Sequence, residues 1–213
     1  MELQRTIKNK VSLEGVGLHT GRPVKFIFNP APADSGITFI RTDLPGSPSV
    51  KADIKYVIDP AKKTRRTSIG DNGVAIHTIE HIMAALAGLA IDNINIELNA
   101  EEVPGLDGSS SGFVNALKEA HIQEQREPRR FFSVKEPIGV EDADASLVAL
   151  PCEQFKVSYT LDYNHPLLKA QHITFVVTPQ AFEEQLAPAR TFCLEEEVNE
   201  LKAQGLEIGR AHV

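Results

Sequence analysis

Alternating hydrophobic and polar residues predict that the chain begins with β-structure. Val24, Phe26 and Phe28 occupy alternate positions of one strand, and residues 37–43 predict another strand after a turn at 34–36. Residues 67–76 contain two short apolar segments around a Gly/Asn/Asp turn, which is typical of a hairpin. The first part of the chain is therefore expected to form a sheet.

After this hairpin the apolar period changes to that of a helix. Five apolar residues follow at helical spacing and predict a buried face: Ile79, Ile82, Met83, Leu86 and Leu89. His77 or Thr78 is the expected start of the helix. A strand is predicted from Ile94 to Leu98, and a second helix from about Ser109 to His121. Four residues of that second helix are expected to face inward: Phe113, Ala116, Leu117 and Ala120.

The second half of the chain repeats the order of strands followed by two helices. Residues 123–130 are polar, charged and broken by Pro128, and they predict a linker between a first domain at 1–122 and a second at 131–213. Strands are predicted within 131–140, 146–150 and 155–164. Helices are predicted from about Gln180 and from Glu195 to Gln204, with Gly205 as a helix stop. This order indicates the α+β class rather than alternating βαβ units.

Composition narrows the functional classes. The 213 residues are 42% hydrophobic and 24% charged, as in ordinary globular proteins, and a net charge of −7 argues against a nucleic-acid partner. The N-terminus lacks the apolar core of a signal peptide, and the longest apolar run, 83–91, is too short for a transmembrane segment. Cys152 and Cys193 lack metal-binding spacing. We expect a cytoplasmic protein with reduced thiols.

Two literal motif matches have a poor sequence context. Residues 77–81 match H-x-x-E-H of inverted zinc peptidases, in which both histidines share one face of a helix, but His77 directly follows a predicted strand. Residues 108–112 match the G-x-S-x-G nucleophile elbow, which needs a strand running into its serine, whereas Pro104 and two glycines intervene here. Ser109 or Ser110 is therefore expected to cap a helix.

Glu80 and His81 allow two interpretations. An acidic residue in a first helical turn offsets the helix dipole, and a lone histidine is usually packed for structural reasons. The same two residue types also suit a metal ligand beside a general base.

Four segments are informative when taken together: "GVGLHTG" at 15–21, "TIEHIMAALAGLAIDNINIELNAEEVPGLDGSS" at 78–110, "DYNHP" at 162–166 and "ARTF" at 189–192. Together they resemble the bacterial UDP-3-O-acyl-N-acetylglucosamine deacetylase family, the zinc amidases of the committed step of lipid A, and hence lipopolysaccharide, synthesis. The resemblance extends from residue 4 to about 209. It implies two similar two-layer domains, each a mainly antiparallel sheet packed on a pair of helices, with the active site between them.

The resemblance also implies roles for individual residues. His81 corresponds to a zinc ligand and Glu80 to the general base. Thr191 corresponds to a residue that hydrogen-bonds the developing oxyanion, and Phe192 to one that lines the sugar pocket. Leu18 and His19 lie on a loop expected to reach the same cleft. The resemblance gives His77 no ligand role.

The family's remaining zinc ligands are absent from these 213 residues. The resemblance places them in an H-K-x-x-D-x-x-G-D motif, and no histidine of this sequence has an aspartate four positions later. We therefore expect an N-terminal portion with an incomplete second domain, weak zinc binding and no turnover by itself. The uncovered core of that domain is expected to cause association.

Several alternatives remain open at the level of sequence. A non-catalytic remnant or sugar-nucleotide-binding module would retain Thr191 and Phe192 without metal, and the inverted peptidase would require His77. A longer parent chain is also open, since some family members continue into an acyl-carrier-protein dehydratase. The basic run at 62–66 predicts a solvated loop in preference to a contact with the substrate's diphosphate.

Overall fold

The computed structural model of the protein describes residues 2–59, 65–163, 165 and 168–203. Its strands are β1 (Leu3–Ile7), β2 (Val11–Val16), β3 (Pro23–Pro30), β4 (Ile37–Arg41), β5 (Ser49–Lys51), β6 (Ser68–Asp71), β7 (Val74–His77), β8 (Ile94–Leu98), β9 (Ile122–Pro128), β10 (Ile138–Asp142), β11 (Ala145–Ala149), β12 (Lys156–Leu161) and β13 (Gln171–Val176). Its helices are α1 (Glu80–Gly88), α2 (Ser111–Glu119), α3 (Pro179–Ala181) and α4 (Glu195–Ala203). A 3-10 turn spans Ile54–Tyr56, and a π-helical turn, Phe182–Leu186, continues α3.

A five-stranded sheet carries the first half of the chain. Its strand order is β2-β3-β8-β4-β5, and every pairing is antiparallel except the parallel pair of β4 and β8. The alternating residues of β3 are buried as predicted, with Phe26 opposite Leu98 and Phe28 opposite Ile96. The α+β class with mainly antiparallel pairing is therefore confirmed.

Helices α1 and α2 share the core with this sheet. The ring centroids of Phe113 and Phe26 lie 5.6 Å apart, so α2 contacts the interior strand β3 directly. The predicted inward residues of both helices are buried, apart from Met83, which is partly buried against the same core. Within the described part of the chain, no helix is both long and apolar enough to span a bilayer.

The predicted start of α1 is wrong by two to three residues. His77 is the last residue of β7, where it pairs with Ser68, and Thr78 has a positive φ of 60°. A left-handed residue cannot continue a right-handed helix, so α1 begins at Glu80. Helix α2 is likewise shorter than predicted, since it begins at Ser111.

The two serines before α2 behave differently from each other. The Ser109 hydroxyl accepts a hydrogen bond from the Ser111 N–H at 3.1 Å, in agreement with the capping prediction. Ser110 occupies the N-cap position but makes no side-chain cap bond, because its hydroxyl donates to the His81 carbonyl at 2.9 Å. The cap is therefore supplied by Ser109, and Ser110 instead links α2 to α1.

Most of the segment predicted as a linker is a strand. β9 pairs antiparallel with β1, with Arg5 opposite Glu124 and Ile7 opposite Ile122. Polar side chains suit this strand because most of its positions are exposed, while its backbone is satisfied by β1. The division into domains at 1–122 and 131–213 stays a prediction.

The later strands form two separate hairpins, β10–β11 and β12–β13. The helical segment that follows them returns to the first half, where Phe182 and Ala187 are buried in the core formed with α1 and α2. This segment begins at Pro179, next to the predicted start at Gln180. Helix α4 agrees with its prediction up to Ala203, whereas Gln204 and the predicted stop at Gly205 lie outside the described residues.

Candidate active site

Glu80 lies at the N-terminus, or mouth, of α1 and lines a cleft. It is the first residue of the helix, where its negative charge suits the positive end of the helix dipole. Its Oε2 atom accepts a hydrogen bond from the Thr67 N–H at 3.0 Å. The cleft has a volume of about 420 Å³, and the described residues that line it are Val57, Ile58, Arg65, Arg66, Thr67, Ser68 and Glu80. A carboxylate here is fixed by the backbone and accessible to a ligand.

A continuous set of contacts links His81 to Thr191. The His81 carbonyl accepts from Ser110, whose N–H donates to the Ala187 carbonyl at 3.0 Å. Four residues later, the Thr191 N–H donates to the Gly108 carbonyl at 2.8 Å. The segment carrying Thr191 is therefore docked on the turn before α2, and that turn contacts the mouth of α1.

Phe192 lies in the exposed continuation of this segment. Its side chain is half-exposed, and its ring centroid is 5.9 Å from that of Tyr163. Nearby, Glu197 of α4 forms an ion pair with Arg65 at 2.7 Å, and the hydrogen bond from Arg65 holds the pKa of Glu197 below its usual range. Because Arg65 also lines the cleft, α4 is connected to the wall of the cleft.

His19 lies on the loop between β2 and β3 and is buried. No hydrogen-bond partner for its Nδ1 or Nε2 is found within the described ranges. Burial lowers the pKa of the imidazole, and the nearby charge of Glu102 opposes this shift without reversing it. At neutral pH His19 therefore carries an uncharged ring with one donor and one acceptor. Leu18 is half-buried beside Gly105.

Glu102 is a buried residue near the site that was not predicted from the sequence. This residue is completely buried, and its carboxylate accepts from the His19 N–H at 3.0 Å, the Thr20 N–H at 2.8 Å and the Thr78 hydroxyl at 2.6 Å. Burial alone would raise the pKa of Glu102, but these hydrogen bonds outweigh it and hold the pKa below its ordinary value. Nothing in the spacing of the sequence distinguishes Glu102 from its neighbour Glu101.

Arg66 contradicts the prediction of a solvated basic loop. Its side chain is only 8% exposed, and its Nη1 lies 3.9 Å from Oε1 of Glu102. The buried carboxylate explains the buried guanidinium, since an unpaired charge in the interior is costly. Arg65 is engaged by Glu197. Lys62, Lys63 and Thr64 lie outside the described residues.

The described residues do not by themselves fit a complete zinc site. Among residues 2–59, 65–163, 165 and 168–203, no group of three or more His, Cys, Asp or Glu side chains is placed to hold a metal ion. A catalytic zinc site uses about three protein ligands, and His81 is one candidate. His77 is buried on a strand with its Nδ1 2.8 Å from the Ser68 hydroxyl, so the helical H-x-x-E-H geometry is not formed.

The chain matches a known protein family over nearly its whole length. The family model of the UDP-3-O-acyl N-acetylglycosamine deacetylases matches residues 4–212, and the chain belongs to this family. The resemblance drawn from the four sequence segments is thereby confirmed.

Individual relatives make the relationship more specific. The chain is 42% identical over 208 residues to the UDP-3-O-acyl-N-acetylglucosamine deacetylase of Actinobacillus succinogenes, covering 97% of this chain and 68% of that protein. It is 41% identical to the deacetylase of Saccharophagus degradans, with the same coverage. It is also 42% identical over 205 residues to the bifunctional enzyme LpxC/FabZ of Chlorobaculum tepidum, covering 95% of this chain and 43% of that protein. The chain thus spans about two thirds of the length of the single-function relatives.

Proposed function

We propose that this chain supplies the general base, one metal ligand and part of the substrate site of a zinc-dependent deacetylase. The substrate is UDP-3-O-acyl-N-acetylglucosamine, the compound in the relatives' names, and the reaction belongs to lipid A biosynthesis. One observation carries the proposal: Glu80 and His81 are adjacent at the mouth of α1, and the segment with Thr191 docks on the turn that contacts His81.

The proposed roles follow from the chemistry of amide hydrolysis. Glu80 accepts the proton of the attacking water, and its bond from the Thr67 N–H fixes the carboxylate while leaving lone pairs free. The Thr191 hydroxyl donates a hydrogen bond to the carbonyl oxygen as negative charge develops there. Since the backbone N–H of Thr191 is already engaged with Gly108, the residue is held without using its side chain.

Zinc is the proposed cofactor, with His81 as one ligand. Bound zinc would lower the pKa of a coordinated water and polarise the carbonyl. Among the described residues, no group of three or more His, Cys, Asp or Glu side chains would complete the coordination. The remaining ligands would belong to the third of the family's length that this chain does not span.

The proposed substrate contacts surround these groups. Phe192 offers a half-exposed aromatic surface suited to a sugar ring, and Leu18 and His19 lie on a loop tied to Thr78 through Glu102. Arg65 and Arg66 are less suited to the diphosphate than two free cations would be, because both face acidic partners. A cytoplasmic location is also proposed. It is supported by Cys152 and Cys193, which are both free thiols.

A chimera tests the proposal most sharply. This chain replaces the matching two thirds of the Actinobacillus succinogenes deacetylase, and acetate release and bound zinc are measured. We expect activity in the chimera, and a loss of about 10²–10⁴-fold on Glu80→Gln, the range typical of general bases. The exposed Glu14→Gln is the matched control.

Two results of this experiment would contradict the proposal. The first is a folded, zinc-loaded chimera without activity. The second is an equal rate for the Glu80→Gln and Glu14→Gln variants. A folded chimera that holds no zinc would favour the non-catalytic alternative instead.

A further inference from the structure

Glu102 connects three segments that surround the candidate active site. Its carboxylate accepts from the N–H groups of His19 and Thr20 on the β2–β3 loop, and from the hydroxyl of Thr78 just before α1. The guanidinium of Arg66 approaches it from a third direction. The segments of Arg66 and Thr78 are already neighbours through the pairing of β6 with β7, and the buried carboxylate adds a side-chain link from both of them to the β2–β3 loop.

The β2–β3 loop is shaped around this carboxylate. The N–H of Gly21 donates to the Gly17 carbonyl at 3.1 Å, which closes the loop into a tight turn. A Cβ atom at Gly17 would lie 2.6 Å from Oε2 of Glu102, well inside van der Waals contact. Gly17 is therefore required for the loop to approach Glu102 this closely. The position of His19 depends on the same approach.

The second segment carries backbone strain. Thr78 is β-branched and has a φ of 60°, a left-handed conformation that costs on the order of 1–3 kcal/mol for such a residue. Its hydroxyl donates to Glu102 over 2.6 Å, so the buried carboxylate holds the strained residue in place. Only Ile79 separates Thr78 from Glu80. The direction in which α1 begins is thus set at Thr78.

The third segment reaches the carboxylate of Glu80 itself. Arg66 is held beside Glu102, and the next residue, Thr67, donates its N–H to Oε2 of Glu80 at 3.0 Å. Glu102 touches neither Glu80 nor His81 in any of these contacts. It acts on them through Thr78 on one side and through Arg66 and Thr67 on the other.

We propose that Glu102 is a positioning residue that sets the orientation of Glu80 and His81 relative to the loop carrying His19. The catalytic importance of this positioning rests on the proposed function, whereas the positioning itself can be measured in this chain without it. If Glu102 contributed only to stability, its replacement would lower the free energy of unfolding without changing the local geometry at the mouth of α1. The two roles therefore differ in what they predict for a variant that still folds.

Substitutions on both sides of the hydrogen bond test the proposal in the 213-residue chain. Glu102→Gln removes the charge, and the isosteric Thr78→Val removes one donor while the carboxylate keeps its backbone bonds. Thr78→Ser retains the hydroxyl and serves as the rescue variant. Glu101→Gln is the matched control, because Glu101 is adjacent and its side chain is 40% exposed. Amide and imidazole resonances are recorded by NMR, and unfolding is followed by circular dichroism.

We expect Glu102→Gln and Thr78→Val to shift the amide resonances of Glu80 and His81 and the ring resonances of His81. Thr78→Ser and Glu101→Gln should leave these resonances near their wild-type positions. If Glu102→Gln does not fold, Thr78→Val becomes the deciding variant, since the Glu102 carboxylate keeps its hydrogen bonds from the His19 and Thr20 N–H groups. Unchanged Glu80 and His81 resonances in folded Thr78→Val would overturn the proposal, as would equal shifts in Glu101→Gln. Acetate release by the chimera is measured separately, so failure of the deacetylase function would be recognised independently.

Discussion

Asp43 and Arg41 tie the five-stranded sheet to the strand that leads into the site. Arg41 donates from Nε and Nη2 to the two carboxylate oxygens of Asp43, at 2.9 and 2.7 Å. Its Nη1 donates to the carbonyl of Ala75 in β7 at 2.9 Å. Asp43→Asn is expected to lower the free energy of unfolding by about 1–2 kcal/mol at pH 7, the scale of a partly exposed charged hydrogen bond. Urea unfolding measures this difference.

The same pair predicts a pH dependence with a definite sign. The hydrogen bond from Arg41 holds the pKa of Asp43 below its ordinary value. The stabilisation is therefore fully present above the ordinary carboxyl pKa of the unfolded chain and is lost as the pH falls through the folded-state value. The wild type should lose its advantage over Asp43→Asn only in that acidic range. A constant difference across the range would contradict this assignment.

The residues of the site differ in how far the sequence could predict them. Glu80 and His81 lie at the start of a helix that the apolar periodicity of the sequence predicts, and the family resemblance suggests their roles. Their site roles stay predictions. Glu102 could not be predicted in the same way, because its importance comes from three segments that only the fold brings together. Arg66 was misjudged for the same reason, since its acidic partner lies 36 positions away in the sequence.

At the level of elements, Gly88 decides how α1 meets the π-helical turn at Phe182–Leu186. Alanine at a helical glycine normally stabilises a helix by about 1 kcal/mol. Here an added Cβ would fall inside van der Waals contact with the ring of Phe182. Gly88→Ala is therefore expected to be destabilising by about 1–3 kcal/mol, the usual cost of overpacking.

A double-mutant cycle separates these two effects of Gly88→Ala. In a Phe182→Ala background the clash is absent, and the same substitution should become neutral or stabilising. Thermal unfolding of the four proteins measures the coupling. Equal effects of Gly88→Ala in both backgrounds would show that Phe182 does not pack on α1 as described.

The start of one helix and the type of one segment were predicted incorrectly from the sequence. The periodicity at 79–89 gave α1 its buried face, but not the left-handed residue that delays its start until Glu80. The polar stretch at 123–130 lacks any apolar alternation, and its strand exists because β1 offers a backbone partner. Both misses have a common physical cause: the decisive partner is remote in sequence.

At the scale of the whole molecule, the two later hairpins present uncovered apolar faces. In β10–β11, Val140 pairs with Leu147 on one face, and their exposed fractions are 59% and 69%. Glu141 pairs with Ser146 on the opposite face. In β12–β13, Tyr159 pairs with Ile173, and both side chains are more than half exposed. Contiguous apolar surface of this kind favours association.

We accordingly expect the 213-residue chain to self-associate through these faces. Val140→Lys should raise the monomer fraction in sedimentation velocity, because a charge in an apolar contact is unfavourable. Ser146→Lys adds the same charge to the opposite face and should have little effect. A monomeric wild type, or an equal response to both lysines, would refute this account of the hairpins.

Glu80, His81 and Thr191 are proposed to belong to one metal-activated site. The most direct measurement is a titration of the chain with Co²⁺ in place of zinc, with paramagnetic broadening followed by NMR. Broadening should be strongest at Glu80, His81 and Thr191, should be lost in His81→Ala, and should persist in His77→Ala. Broadening centred elsewhere, or unchanged by His81→Ala, would contradict the claim.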